Sequence, residues 1–213
     1  MTESLLDTQD VQLPEQGSQP PAIRRSVLDL AVVADGSTSA SALSDTTALA
    51  TRADELGFDR FWVAEHHNFP TIASTSPPVL MAHLAASTSR IRIGSGGVML
   101  PNHPALVVAE QFALLEALHP GRIDLGIGRA PGGDRLTAQA MSGGAYNSAD
   151  DFPQQVFDMV GYLDGTVAEN HPFAKVTVQP KSEHAPEVWI LGSSDFGGAL
   201  AASARLSEPL AAD

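Results

Sequence analysis

Short apolar runs alternate with longer amphipathic stretches along most of the chain. Four of the apolar runs begin at Val27, Arg60, Ile91 and Arg122, so successive starts are 33, 31 and 31 residues apart. This spacing is typical of a strand followed by a helix that leads back to a neighbouring parallel strand. The pattern therefore predicts a repeated strand–helix unit.

Five main strands and five helices are predicted from these runs and from the turn residues between them. The predicted strands are 27–33, 60–65, 91–100, 122–127 and 187–192, and a short extra strand is predicted at 176–179. The predicted helices are 41–56, 78–87, 104–118, 152–163 and a last one that begins near 199. The fifth strand begins 65 residues after the fourth, so the connection between them carries an insertion.

Apolar spacing also assigns an inner face to two of the helices. In the first helix, Leu49, Ala53 and Leu56 form the predicted inner stripe. The third helix has a longer predicted inner face, made of Val107, Gln111, Leu114, Leu115 and Leu118. Glu110 and Glu116 on the same helix are expected to face solvent.

Two α/β architectures fit this order of elements. A TIM-type (β/α)8 barrel has eight strand–helix units and typically ~250 residues, and this chain supplies about five units. An open five-stranded parallel sheet is the alternative. Both architectures place functional loops at the carboxyl ends of the strands. The residues at those ends are His66, Gly96, Gly97, Arg129, Ser193 and Ser194. A site is therefore predicted there.

Composition narrows the classes of function. The 12 basic and 25 acidic residues give a net charge of −13, which argues against nucleic-acid or anionic-membrane partners. The chain has no cysteine, so thiolate catalysis and disulfides are excluded. No run reaches the ~18 apolar residues that a membrane span needs. Residues 1–25 lack a secretory-signal pattern and are expected to form a disordered tail before one domain at 26–213, and a cytoplasmic location fits.

Glu65-His66-His67, at the exit of the second predicted strand, is the first candidate for chemistry. Neighbouring residues on a strand point to opposite faces, so both imidazoles rarely reach one ion, and no metal site is predicted. A histidine that faces the mouth of the site can act as an acid, a base or a hydrogen-bond donor, because imidazole titrates near neutrality. The alternative is a histidine that only bonds the backbone at the strand end.

Two glycine-rich strands are candidates for close contact with a ligand. Gly94-Ser95-Gly96-Gly97 and Gly126-Ile127-Gly128 carry little side-chain volume, which leaves room for a ligand, although packing alone also explains glycine. Arg129 follows the second stretch, and Ser193-Ser194 follow the fifth strand. A guanidinium beside hydroxyls and amides at a helix N-terminus suits a single phosphate, and ordinary helix capping by Ser194 is the alternative.

Five motifs together resemble those of a known family. They are EHHN at 65–68, GSGGVMLPNH at 94–103, AEQF at 109–112, PGRIDLGIGRAPGG at 120–133 and LGSS at 191–194. Their order resembles that of the bacterial luciferase-like flavin-dependent monooxygenases. The resemblance runs from about Ser26 to Ala202.

This resemblance implies a TIM-type barrel that binds FMN, with reduced flavin supplied by a separate reductase and used with molecular oxygen on a small organic substrate. His66 matches the family's catalytic histidine, a proton-transfer or peroxide-stabilising group. Arg129 matches an arginine that contacts the FMN phosphate, and Ser193 and Ser194 fall in the matching phosphate loop. Gly96-Gly97 match a non-prolyl cis peptide beneath the flavin ring.

The resemblance also leaves alternatives open. Some relatives use the deazaflavin F420 and transfer hydride, and a non-catalytic flavin-binding or degenerate fragment is a further reading. Because the family continues through three more strand–helix units after Ala202, we expect a truncated or frameshifted gene product with free edges at its first and fifth strands. A homodimer is compatible with these expectations.

Overall fold

The computed structural model describes residues 23–130, 132–141, 149–192 and 195–204. Residues 1–22, which make up most of the predicted tail, lie outside the described residues, as do Ser193 and Ser194. The strands are β1 (Ser26–Asp29), β2 (Arg60–Val63), β3 (Arg92–Ser95), β4 (Val98–Met99), β5 (Ile123–Gly128) and β6 (Glu187–Leu191). The helices are α1 (Ser39–Glu55), α2 (Pro77–Ser87), α3 (Ala105–Leu118), α4 (Arg135–Met141), α5 (Phe152–Asp164) and α6 (Asp195–Ala204).

The sheet is parallel and follows the order of the chain. Its strands pair as β1-β2-β3-β5, and β4 and β6 also pair with β5. The predicted strand 91–100 is divided into β3 and β4 by Gly96 and Gly97. A doubly wound sheet reverses its strand order at a switch point, whereas a barrel does not. The observed order is therefore an arc of a TIM-type (β/α)8 barrel, as predicted.

The core lies between the outer face of this arc and the helices. Alternate strand residues point outward, so Phe61, Ile93 and Leu125 are fully buried against the helix layer. Phe112 on α3 and Met159 on α5 are the facing residues from that layer. Burial of each such side chain contributes roughly 1.5–3 kcal/mol. The main apolar core thus lies outside the sheet, and the inner face of the arc carries both polar and apolar side chains, among them Asp124 and Trp62.

The predicted inner faces of α1 and α3 are only partly right. Ala53 is buried as predicted, but Leu49 on α1 and Leu56 just after it are exposed, and the buried residues of α1 are Ala42, Thr46, Ala50, Ala53 and Asp54. Leu115 is buried as predicted, but the other four members of the predicted face of α3 are exposed, and the buried residues are Val108, Ala109, Phe112, Ala113, Leu115 and Glu116. Both helices carry two apolar stripes, and on α1 the stripe of small side chains lets the helix axis approach the core closely.

Glu116 contradicts the expectation of a solvated charge. It is 1% exposed, and its Oε1 atom accepts a hydrogen bond from the Gly121 amide at 2.5 Å. The carboxylate therefore secures the turn that joins α3 to β5.

Two strand predictions also need correction. β1 ends at Asp29 rather than continuing to residue 33, because Ala31 adopts a left-handed conformation (φ 51°) and Val32 forms an isolated antiparallel bridge with Ile72. Segment 176–179 is not a strand; it belongs to the loop before β6. No helix in the described ranges is long and apolar enough to cross a membrane.

Candidate active site at the carboxyl ends of the strands

His66 lies where the chain leaves β2. Its amide donates to the Ser74 carbonyl at 3.1 Å, and the Ser74 hydroxyl donates to the Ala64 carbonyl at 2.5 Å, so the loop after residue 70 holds this segment. The His66 ring packs edge-on against Phe69, with ring centroids 5.9 Å apart. Its Nδ1 atom is buried and has no hydrogen-bond partner among the described residues. A buried polar atom of this kind requires an explanation, and a role in binding a ligand is one.

Glu65, immediately before His66, is the centre of a buried hydrogen-bond cluster that the sequence did not predict. The residue is 1% exposed. Its Oε1 atom accepts from Nε2 of both His67 and His103, each at 2.7 Å, and its Oε2 atom accepts from the Met99 amide at 2.9 Å. Burial raises the pKa of Glu65, but the hydrogen bond and charge of His103, followed by the bonds from His67 and Met99, outweigh this and lower its pKa below 4.5.

The peptide bond between Gly96 and Gly97 is cis, as the resemblance implied. A Cβ on Gly96 would lie 2.6 Å from Leu28, and a Cβ on Gly97 would lie 2.7 Å from Leu191 and 2.9 Å from the Gly126 carbonyl oxygen. Packing against the Gly126 backbone therefore requires glycine at residue 97, whereas a Cβ at residue 96 would displace the end of the Leu28 side chain. Side chains of β1, β2 and β6 occupy part of the space that was expected to be bare.

Arg129 leaves the end of β5 and is exposed. Its guanidinium stacks on the Phe196 ring at 4.9 Å from the centroid, which brings it beside the first turn of α6. Within the described ranges, no carboxylate lies within salt-bridge distance of Arg129. An arginine fork held in this way is ready to bind an anion. Ser193 and Ser194, the other predicted phosphate contacts, lie outside the described residues.

The loop after Arg129 lies against the segment that carries His66. The His67 amide donates to the Gly132 carbonyl at 3.0 Å. A Cβ on Gly132 (φ 65°) would lie 3.1 Å from the Glu65 carbonyl oxygen and 2.8 Å from the Met99 side chain. The Asn68 side chain donates to Asp134 at 2.8 Å. This bond, followed by those from Thr137, holds the pKa of Asp134 well below its usual range.

The opposite end of the arc carries a second charged cluster, which the sequence did not predict. Asp124 is fully buried and accepts hydrogen bonds from Arg60 at 3.0 Å, Trp62 at 2.9 Å and Arg92 at 2.8 Å. Glu187 on β6 also bonds Arg60, at 2.8 Å. The available signal was the set of charged residues at the starts of neighbouring strands, where Arg60 lies opposite Arg92 and Asp124 lies opposite Glu187. The described residues contain no group of three or more acidic or histidine side chains arranged to hold a metal ion.

Comparison with known proteins identifies the class. Residues 23–207 match the family model of the luciferase-like monooxygenases, and the chain belongs to that family. It is 49% identical over 177 residues to the uncharacterised protein YwcH of Bacillus subtilis, covering 83% of this chain and 53% of that protein. It is 45% identical over 181 residues to a luciferase-like monooxygenase of Escherichia coli (85% and 53% covered).

A third relative has a more specific name. The N-acetyl-S-alkylcysteine monooxygenase of Bacillus subtilis is 41% identical over 185 residues, with 87% of this chain and 55% of that protein covered. The chain thus spans about half the length of the curated relatives it matches.

Solved structures confirm the fold. The crystal structure of apo-MsnO8 superposes with a TM-score of 0.80 at 40% identity, covering 87% of this chain and 55% of that one. The oxygenating constituent of 3,6-diketocamphane monooxygenase from Pseudomonas putida, in complex with FMN, gives 0.68 at 19% identity (88% and 57% covered). An F420-dependent secondary alcohol dehydrogenase gives 0.63 at 17% identity (84% and 55% covered). The last two show similarity of fold alone.

Proposed function

We propose that this chain provides the FMN-phosphate side and the catalytic histidine of a flavin-dependent monooxygenase. The observation that carries the proposal is that two polar groups at the same end of the sheet lack polar partners in the described ranges. His66 has a buried Nδ1 atom without a partner in the described ranges, and Arg129 has no carboxylate partner there. Polar groups left unpaired at the carboxyl ends of parallel strands are typical of a ligand site.

The residues present fit FMN. Arg129 would bind the phosphate together with Ser193 and Ser194, and Gly96-Gly97 would lie beneath the ring. Reduced FMN, when bound, supplies the electrons that activate molecular oxygen. In this proposal His66 holds or transfers a proton at Nδ1, and Ser74 and Phe69 fix its orientation.

The proposal includes partners. A separate flavin reductase would deliver reduced FMN in the cytoplasm, and a small organic molecule would be the substrate with oxygen. A homodimer is also proposed, because the outer stripe of α3 exposes Val107, Leu114 and Leu118 to solvent. A purely monomeric species in analytical ultracentrifugation would contradict the dimer.

Two alternatives follow from the family resemblance. One is a hydride-transfer relative that binds a deazaflavin, and the other is a flavin-binding fragment without turnover. Binding of F420 in preference to FMN would identify the first, and binding of FMN without oxygen consumption in the presence of a reductase would identify the second.

The phosphate assignment is tested by Arg129→Ala. FMN and riboflavin share the ring, but only FMN carries the phosphate, so the substitution should weaken FMN binding roughly 10- to 100-fold and leave riboflavin binding unchanged. Titration calorimetry or flavin fluorescence measures both affinities. Arg52→Ala, at an exposed arginine on α1, is the matched control. An equal loss of affinity for both flavins would overturn the assignment.

A further inference from the structure

The EHH motif divides into two parts with different surroundings. Glu65 and His67 bond each other at 2.7 Å, whereas the His66 ring between them packs on Phe69 and leaves Nδ1 unpaired within the described ranges. Alternation along an extended chain explains the division, because residues i and i+2 share one face. The two outer residues of the motif are therefore available for a role of their own.

The ionised carboxylate of Glu65 determines which ring nitrogen carries the proton in His67 and in His103. An ionised carboxylate only accepts hydrogen bonds, so His67 and His103 both donate their Nε2 protons to it. A buried carboxylate is costly unless such donors surround it. Three donors do so here, counting the Met99 amide, and they come from three places in the sequence. The cluster thus joins the exit of β2, the end of β4 and the turn that follows β4.

A fourth segment is attached through the backbone of the same motif. The His67 amide bonds the Gly132 carbonyl at 3.0 Å, and Gly132 packs against the Glu65 carbonyl and Met99. Gly132 is three residues beyond Arg129. These contacts therefore attach Gly132, which is close to Arg129 in sequence, to the 65–67 segment.

We propose that Glu65, through its bonds to His67 and His103, is a positioning residue that sets the loop of Arg129 against the segment of His66. This rests on the proposed function, because it assigns the loop to the flavin phosphate. Glu65 itself does not touch the cofactor. Its carboxylate fixes the separation between the group that binds the phosphate and the group that handles the proton, which a flavin site requires to be constant.

The first test uses the flavin-free protein. Nitrogen-15 NMR of the imidazoles should show Nε2 protonated in both His67 and His103, and Glu65→Gln should change both signals because the two N–H groups would then donate to a neutral amide in place of a carboxylate. The hydrogen bonds to Glu65 would be contradicted, whether or not flavin binds, if the imidazoles carried the proton on Nδ1 or if the substitution left both signals unchanged.

The second test measures the ratio of FMN affinity to riboflavin affinity. Glu65→Gln should lower this ratio about tenfold, and it should have no further effect in the Arg129→Ala background, where the phosphate contact is already lost. A ratio unchanged by Glu65→Gln, in a protein where Arg129→Ala lowers it, would overturn positioning and leave the proposed function intact. A ratio unchanged by both substitutions would overturn both proposals. Additive effects would also overturn positioning.

A second pair of variants guards against misfolding of Glu65→Gln. His103 is partly exposed, and His103→Leu removes one donor, whereas His103→Gln retains an N–H donor at similar reach. The leucine variant should lower the FMN-to-riboflavin ratio several-fold, and the glutamine variant should restore most of it. Equal ratios for the two variants would overturn the role of the His103 bond.

Discussion

The two ends of the same strands differ in how completely their polar side chains are paired. At the amino ends, Asp124 is surrounded by Arg60, Trp62 and Arg92 and has no exposed surface. At the carboxyl ends, Glu65 is paired in the same way, but His66 Nδ1 has no hydrogen-bond partner in the described ranges, and the Arg129 guanidinium stacks on a ring without a carboxylate partner there. A buried charge is tolerated only when paired, so the paired clusters serve the folded state. The two groups without polar partners keep binding capacity free, which supports the proposed flavin site at the carboxyl ends.

The largest effect is expected on the unfolding free energy, from a substitution in the paired cluster around Asp124. Asp124→Ala would remove the buried carboxylate that Arg60 and Arg92 share, and the partly buried guanidinium groups would keep only Glu187 as an acidic partner. Breaking a fully buried ion pair costs about 3–5 kcal/mol, so we expect a loss of about 2–4 kcal/mol here. Urea denaturation followed by circular dichroism measures the loss of unfolding free energy. Asp45→Ala on the exposed side of α1 is the control. A loss below about 1 kcal/mol would show that the cluster around Asp124 does not stabilise the fold.

The next effect should appear in turnover, with only a small change in stability. His66→Ala removes the proposed proton-transfer group, and loss of such a group typically slows an enzyme about 10²- to 10⁴-fold. FMN affinity should stay unchanged, and the unfolding free energy should fall by about 0.5–1.5 kcal/mol, because the ring contact with Phe69 is lost but Nδ1 has no protein partner in the described ranges. Oxygen consumption with a flavin reductase measures the rate, with His83→Ala on α2 as control. Unaltered turnover would make His66 structural.

The smallest effect concerns acid stability at the carboxyl end. The pKa of Glu65 is lowered in the folded protein from 4.5, so the ionised form stabilises the fold above pH 4.5. This contribution is lost as the pH falls through the lowered pKa. Unfolding free energy measured from pH 6 to pH 3 should therefore fall less steeply in Glu65→Gln than in the parent. The exposed Glu183→Gln is the control, and parallel curves for Glu65→Gln and the parent would contradict the prediction.

The sequence predicts the repeated elements well because strand and helix periodicity are local properties. It fails in part for the inner faces of α1 and α3, since Leu49 and Leu114 are exposed while the stripes that carry Ala50 and Phe112 are buried. Only the distance between helix and sheet decides between two apolar stripes, and that distance is a property of the whole fold. The predicted strand at 176–179 is wrong for a similar reason, because no neighbouring strand pairs with it.

For the site, the sequence identifies candidate residues but not the side chains that contact them. The roles of His66, Gly96, Gly97 and Arg129 stay predictions, and their placement at one end of the sheet follows from parallel strands. The Glu65 cluster joins residues up to 38 positions apart, so it depends on the register between strand exits. The signal that could have found it was the Glu-x-His spacing, which puts both side chains on one face.

Trp62 and Trp189, the chain's two tryptophans, have an optical consequence. Their rings meet edge to face inside the arc, with ring centroids 5.7 Å apart. Trp62 lies over Gly94 and donates a hydrogen bond to Asp124, and Trp189 lies beneath the Arg60 guanidinium. All intrinsic tryptophan emission therefore originates from one point between the two ends of the strands. The chain carries its own unlabelled reporter there, and a yellow chromophore bound at the carboxyl ends would quench it by energy transfer.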